Sequence, residues 1–294
     1  MESTHNQKGL KRMRNYKAWE KILFLPTHLD EKRLAKAIHG KTIMITGASS
    51  GIGEQLAYLL AEYEVHLILV ARREEKLKKI KNEIAGKAAK ISVFRADLRD
   101  SIELEAFLRF VRNQPAGVDI VVSNAGHSIR RPIMESLNRY HDFTRTMAIN
   151  YFAPVQLLLS LIPQIQQNKG QIINISTINT SLIPLPYWAA YQASKSAFDT
   201  WLRSAAPEWN ALGITTTSIY LPLVKTPMIE PTAAYQNAPA MSPEHAARMI
   251  AKSMYTKRKS VMPWWLIFGQ LASVLGRGPW EWGMQRRLRK RGKP

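Results

Sequence analysis

A single α/β body, one parallel sheet with helices on both faces, is the fold class this sequence predicts, and three observations carry the prediction. From Lys41 onward, short β-branched runs alternate with longer helical stretches, the order expected of a parallel sheet. Several of those runs carry apolar residues on both alternating faces, as a strand covered on both sides must. The first run passes straight into a glycine-rich loop, 46-TGASSGIG-53, and then into a helical pattern.

Strands are expected at 41–46, 65–70, 91–96, 118–123, 171–176, 214–220 and, most weakly, 259–263. Helices fit between them. Residues 54–63 follow Gly53, residues 73–86 end on a glycine stop, and residues 101–113 begin after the cap candidate Asp100. Residues 144–166 form a long apolar helix that Pro154 should bend near Asn150. The chain shows no internal repeat and no low-complexity tract.

The absence of cysteine excludes disulfides, Cys-ligated zinc and thiol nucleophiles, and no metal site is expected. Only Ile22–Leu25 is apolar behind the basic N-terminus, too short for a signal-peptide core. The stretch 261–275 is interrupted by Pro263 and Gln270 and falls short of the roughly 20 residues a membrane span needs. The net charge of +20 is concentrated at the ends: residues 1–41 carry +6 and residues 252–294 carry +10. The expected organisation is a basic extension at 1–40, a catalytic body at 41–256 with a lid at 228–241, and a last strand with a basic, Trp-rich tail at 257–294.

The glycine loop suits a dinucleotide. A pyrophosphate needs small residues beneath it and a helix N-terminus aimed at it, and Gly47, Gly51 and Gly53 meet that need; a structural turn would use glycines too. About 20 residues on, where an acidic side chain would hold a ribose 2′-hydroxyl, stand Arg72 and Arg73, with no carboxylate before Glu74. Cations at a helix start oppose its dipole, so a 2′-phosphate ligand explains them better than a solvated turn, and NADPH is favoured over NADH.

Six motifs then occur in order: TGASSGIG at 46–53, Asp97 in RADL, SNAG at 123–126, QIINIST at 171–177, YQASK at 191–195 and LPLVKTPM at 221–228, with Asn150 between them. On these the chain, from 41 to about 250, resembles the short-chain dehydrogenase/reductase superfamily, and on the longer runs 123–152, 170–176 and 218–235 it resembles a subgroup, the bacterial long-chain fatty acyl-CoA reductases. The resemblance implies a Rossmann-type doubly wound sheet of about seven strands in the order 3-2-1-4-5-6-7. It implies cofactor contacts from Ser49, Ser50 and Ile52 in the loop, from Asp97 and Leu98 beside the adenine, and from Asn124, Ala125 and Gly126 along the cofactor. It further implies that Val224 and Thr226 lie near the nicotinamide, that Lys195 holds its ribose, and that Asn150 supports a relay water near the lysine.

Tyr191 and Lys195 are four residues apart in an alanine-rich segment, so a helix sets both side chains on one face. A tyrosine can donate the proton a developing alkoxide needs, and a nearby ammonium would lower its pKa. By itself such a pair is a common surface arrangement; behind a nucleotide loop and QIINIST it reads as general acid and tuner. The family's hydroxyl partner falls 13 residues before the tyrosine, yet that position is Ile178. Counting from Gly170 gives Thr177 instead, with Ser176 as fallback and one extra residue in the 178–190 loop.

Arg130 and Arg131 are candidates for an anionic group such as a CoA phosphate. The tail joins Trp264, Trp265, Trp280 and Trp282 to a basic cluster, a composition suited to an anionic membrane interface, and residues 16–29 share it. The rivals are a nucleic-acid arm, for which no nucleic-acid fold is present, and an arm packed on a partner subunit. The reading is a cytoplasmic NADPH-dependent reductase of a lipophilic carbonyl compound, long-chain acyl-CoA or fatty aldehyde, peripheral on the inner membrane face and homo-oligomeric by family analogy. Its rivals are a dehydrogenase of a secondary alcohol, hydroxy-lipid or steroid, and a non-catalytic NADP-binding scaffold.

Overall fold

Alternate residues of the strands feed two different cores, which is why apolar residues occupy both alternating positions. In the computed structural model, which describes residues 16–230, 232, 235 and 237–291, seven strands run in parallel in the order β3-β2-β1-β4-β5-β6-β7. They are β1 (Thr42–Thr46), β2 (His66–Ala71), β3 (Lys90–Arg95), β4 (Ile120–Ser123), β5 (Gln171–Thr177), β6 (Thr215–Leu221) and the two-residue β7 (Ser260–Val261). Ile43, Ile45, Leu67 and Leu69 pack into one core, while Met44, Ile68 and Val70 pack into the other. The predicted sheet order and helical cover hold.

The helices are α1 (Ala18–Leu23), α2 (Glu31–Ile38), α3 (Gly51–Leu60), α4 (Glu74–Glu83), α5 (Ser101–Arg112), α6 (Tyr140–Met147), α7 (Ala153–Gln167), α8 (Ala189–Ala211), α9 (Pro243–Thr256), α10 (Leu266–Leu275) and α11 (Arg277–Arg291). α3 begins three residues before its expected start, because the loop glycines themselves enter the first turn. The long helix expected at 144–166 is α6 and α7 joined through a π turn, Ala148–Phe152. Pro154 has no N–H to continue the regular ladder, and the ladder widens just before it, around Asn150. By length and composition Tyr140–Gln167 could cross a membrane, but Leu157, Leu158, Leu161 and Ile165 fill the core beneath the sheet.

The segment read from sequence as a basic arm is, in its described part, woven into the body. Tyr16, Phe24, Leu29, Leu34 and Ile38 join the same core as β1. The Tyr16 hydroxyl accepts the Ser242 N–H at 2.7 Å and lies 3.3 Å from His245 Nδ1, while Thr27 Oγ1 meets His245 Nε2 at 3.0 Å. The basic residues before Tyr16, four residues of the expected lid (231, 233, 234 and 236) and residues 292–294 lie outside the described residues.

Burial holds His245 well below the ordinary histidine range, at about 4. The folded form therefore binds fewer protons than the unfolded form, so stability is full above about pH 6.5 and falls as the pH drops toward 4. The depression corresponds to about 3 kcal/mol. Denaturant unfolding measured between pH 7 and 4 should show that loss, and His245→Gln should flatten it; an unchanged slope in the variant would remove His245 as the cause.

Candidate active site

β1 sits between β2 and β4, so successive connections leave the sheet in opposite directions at its carboxyl end and open a crevice there. The crevice is a cavity of about 390 Å³ whose wall includes the glycine loop, the carboxyl ends of β2, β4 and β5, and the first turns of α8.

Its phosphate end is shaped by missing Cβ atoms. Gly47 and Gly51 have φ of +67° and +59°, the left-handed region that favours glycine. A Cβ on Gly47 would lie 2.9 Å from Ala125 Cα, and one on Gly51 2.8 Å from Thr226 Cγ2. Ser50 makes no side-chain cap on α3, and although the Glu54 carboxylate takes the Gly51 N–H, the next N–H groups of the first turn are left for an anion. Arg73 reaches over this loop, its Nη2 donating to Ser49 Oγ at 3.0 Å and Ser50 Oγ at 2.6 Å. A cradle closed to Cβ atoms, an uncapped helix start and a guanidinium above it are the donor set that a phosphorylated dinucleotide fits.

The adenosine end is rimmed by Arg72, Asp97, Leu98 and Arg99. Arg99, absent from the sequence reading, grips the Asp97 carboxylate through Nε at 3.0 and 3.1 Å and Nη2 at 2.5 Å, and Arg72 Nη1 stands 4.0 Å from the same carboxylate. These cations hold Asp97 below its ordinary pKa against the opposing effect of burial. The RADLRD spacing puts Arg99 two residues after Asp97, and that was the available signal.

Gly53 and Asn150 stand behind the wall rather than on it. A Cβ on Gly53 would come within 2.6 Å of the Gly47 carbonyl and 2.8 Å of Asn124 Nδ2, so this glycine serves close packing of α3. Asn150 pins the β4 loop: Oδ1 accepts the His127 N–H, and Nδ2 donates to the His127 carbonyl and to Ser194 Oγ, each at 2.9 Å. Its amide also approaches Gly126, where a Cβ would sit 3.1 Å from Oδ1 and 3.5 Å from Lys195 Nζ. Asn124 donates Nδ2 to the Thr46 carbonyl at 2.9 Å, while Ala125, Gly126, Ile52, Val224 and Thr226 line the cavity.

At the inner end, Tyr191 and Lys195 project from α8 into the cavity. The Tyr191 hydroxyl hydrogen-bonds the Thr177 side chain at the end of β5, which lowers its pKa, but burial outweighs that and raises it. Lys195 is turned to the Ile175 carbonyl, 3.1 Å away, and so does not lower the tyrosine as expected from sequence. Burial brings Lys195 itself down to about 8, opposed by Asp199. Ser176, one residue along the strand from Thr177, is committed to Asp199 at 3.2 Å. Asp199 is almost fully buried and also meets Tyr220 Oη at 3.3 Å and Arg203 Nε at 3.1 Å. Its signal was the spacing, four residues beyond Lys195.

The 178–190 loop holds a short 3-10 turn, Ile178–Thr180, and Tyr187 at φ +73°. Gln192 fastens the loop, donating to the Asn179 carbonyl at 2.6 Å and accepting the Leu185 N–H at 3.1 Å. Toward the outside the cavity becomes apolar, with Leu185, Leu223, Met228, Ile229 and Tyr235, and Tyr235 stacks on Trp188 at 5.4 Å. Arg131 is spent on the buried Asp142 at 3.0 Å, whereas Arg130 lies over the Tyr187 ring at 4.8 Å; neither lines the cavity.

Sheet, switch-point crevice, glycine cradle and a tyrosine–lysine pair define a dinucleotide-dependent oxidoreductase. The chain belongs to the short chain dehydrogenase family, whose sequence model it matches over residues 41–237. It is 42% identical over 238 residues to the fatty acyl-CoA reductase of Acinetobacter baylyi, covering 81% of this chain and 79% of that one. It is 37% identical over 225 residues to a fatty acyl-CoA reductase of Mycobacterium tuberculosis, covering 76% of each. A solved short-chain dehydrogenase from Sphingobium yanoikuyae, in complex with NADPH, shares the fold at a TM-score of 0.71 and 20% identity, over 84% of this chain and 95% of that one.

Gly47→Ala places a Cβ against the Ala125 backbone at a positive φ. Thermal or denaturant unfolding should register a loss of at least about 1 kcal/mol; unaltered stability would show that the loop relaxes freely.

Proposed function

We propose that this chain is an NADPH-dependent reductase of a lipophilic carbonyl compound, a long-chain fatty acyl-CoA or fatty aldehyde. The observation that carries the reading is the Tyr191 hydroxyl, kept in its acid form by burial and joined to Thr177, in a cavity with a nucleotide cradle at one end and apolar walls at the other. The names of the curated relatives support the substrate class.

The bound dinucleotide would supply hydride to the carbonyl carbon. Thr177 and Tyr191 hydrogen-bond the carbonyl oxygen as its negative charge develops, and Tyr191 gives up its proton to that oxygen. Lys195, cationic below about pH 8 and held on the Ile175 carbonyl, would reach the nicotinamide ribose rather than the tyrosine. Asn150 holds His127 and Ser194, which fixes the floor of the site beside Gly126. Arg73, with Arg72 beside it, would receive the 2′-phosphate. Burial keeps the Tyr191 hydroxyl protonated, the form from which a carbonyl oxygen takes a proton, which favours reduction over the rival dehydrogenase reading. The contact between Tyr191 and Thr177 across the lengthened loop favours catalysis over a scaffold.

With NADPH and either long-chain acyl-CoA or fatty aldehyde, the wild type should oxidise cofactor, and Tyr191→Phe should lose about 100-fold or more in kcat. Full turnover in the variant would end the tyrosine mechanism. In binding titrations, replacing Arg72 and Arg73 together by alanine should weaken NADPH about ten-fold more than NADH; equal losses would refute the phosphate assignment.

A further inference from the structure

Helix α10 is built inside out. Surface helices turn apolar residues to the core and polar ones to water, yet here Ile267, Phe268, Leu271, Val274 and Leu275 are 61, 65, 59, 75 and 75% exposed. The inward contacts beyond the anchor Leu266 come from small or polar residues. Ser273 Oγ accepts the Ile183 N–H at 3.2 Å, and the missing side chain of Gly269 lets Leu182 approach, so that a Cβ there would meet it at 3.1 Å.

A second apolar strip from the other end of the chain lies against it. Trp264 and Trp265 donate their indole N–H groups to the Ile22 and Leu23 carbonyls at 2.9 and 3.2 Å. That tie joins the segment carrying Trp19, Ile22 and Leu25, exposed by 45, 61 and 57%, to the two tryptophans that lead into α10. Monomeric proteins rarely leave so many large apolar side chains together in water. Immediately after α10 comes α11, whose sequence holds six Lys/Arg and one Glu, with Arg286 stacked over the exposed Trp282 at 4.5 Å.

We infer that α1 and α10 form one composite docking face that lies in the plane of an anionic lipid bilayer, with α11 along the headgroups. Ten residues of α10 are too few to span a bilayer, but a shallow apolar strip flanked by tryptophan and arginine matches the boundary between acyl chains and headgroups. Charge decides between a bilayer and a second copy of this chain as the occupant: two tails of +10 each repel, whereas anionic lipid supplies the opposite charge. The face rests on the 178–188 loop, whose Ile178, Asn179 and Leu185 line the cavity, so a bilayer would border the apolar end of the site. The inference stands apart from the reductase reading, and its test needs no turnover.

The full chain is sedimented with phosphatidylcholine vesicles, with and without phosphatidylglycerol. The wild type should bind the anionic vesicles and weaken with salt, and brominated lipid should quench its tryptophan fluorescence. Replacing Ile267, Phe268 and Leu271 by serine should cut the partition about ten-fold or more, as should replacing Arg286, Arg287 and Arg289 by glutamine, with thermal unfolding unchanged. Failure of the wild type to bind, or absence of quenching, overturns the proposal. So does a serine variant that binds vesicles normally while a wild-type dimer becomes monomer, the result that would assign the face to a second copy.

Discussion

The structure depends on a close crossing of backbone at the ends of β1 and β4. Thr46 Oγ1 accepts the N–H groups of both Asn124 and Ala125, at 3.0 and 2.9 Å, and Asn124 Nδ2 returns a bond to the Thr46 carbonyl. Gly47 and Gly53 carry no side chain to obstruct this approach. One side-chain hydroxyl and one amide thus satisfy the polar backbone exactly where the sheet must split to make a crevice, a place where orphaned buried groups would be costly. The cradle, the adenosine rim and the inner site are all hung from that crossing.

The inner site separates two jobs that neighbouring residues on β5 could have confused. Tyr191 and Asp199 stand two turns apart on α8 and take different neighbours on the strand: Ser176 bonds Asp199, and Thr177 bonds the Tyr191 hydroxyl. Behind the site, Asp199 gathers Ser176, Tyr220 and Arg203, and its charge keeps the lysine one turn earlier from losing still more basicity in its buried setting. The acid, the hydroxyl and the cation occupy the cavity, and the anion that supports the cation stays out of it.

Much of this was legible from sequence because it is local or periodic. Strand positions, the glycine loop and the four-residue step from Tyr191 to Lys195 each follow from short-range rules. Asn150 was visible as a polar residue at a bend, though the bend takes the form of a π turn. Pairings set by tertiary contact were not legible: the Arg99 grip on Asp97, the capture of Arg131 by Asp142, and the turn of Lys195 toward a strand carbonyl rather than toward the tyrosine. The burial of Tyr16, Phe24 and Leu29 was hidden because their neighbours in sequence are basic while their neighbours in space are β1, α3 and α9.

The bonds from Tyr16 to His245 and from Ile22 and Leu23 to Trp264 and Trp265 close loops of well over two hundred residues. Synthesis proceeds from the N-terminus, so residues 16–29 leave the ribosome before the sheet and before the partners that hold them in place. Until α9 and the tryptophan pair emerge, Tyr16, Phe24 and Leu29 can meet only part of their core, and their full ordering waits on the most non-local contacts they make. The stretch from α9 to the tryptophan pair thereby acts as a completion signal: a chain interrupted before Pro243 can build most of its sheet and still leave residues 16–29 without part of their seat.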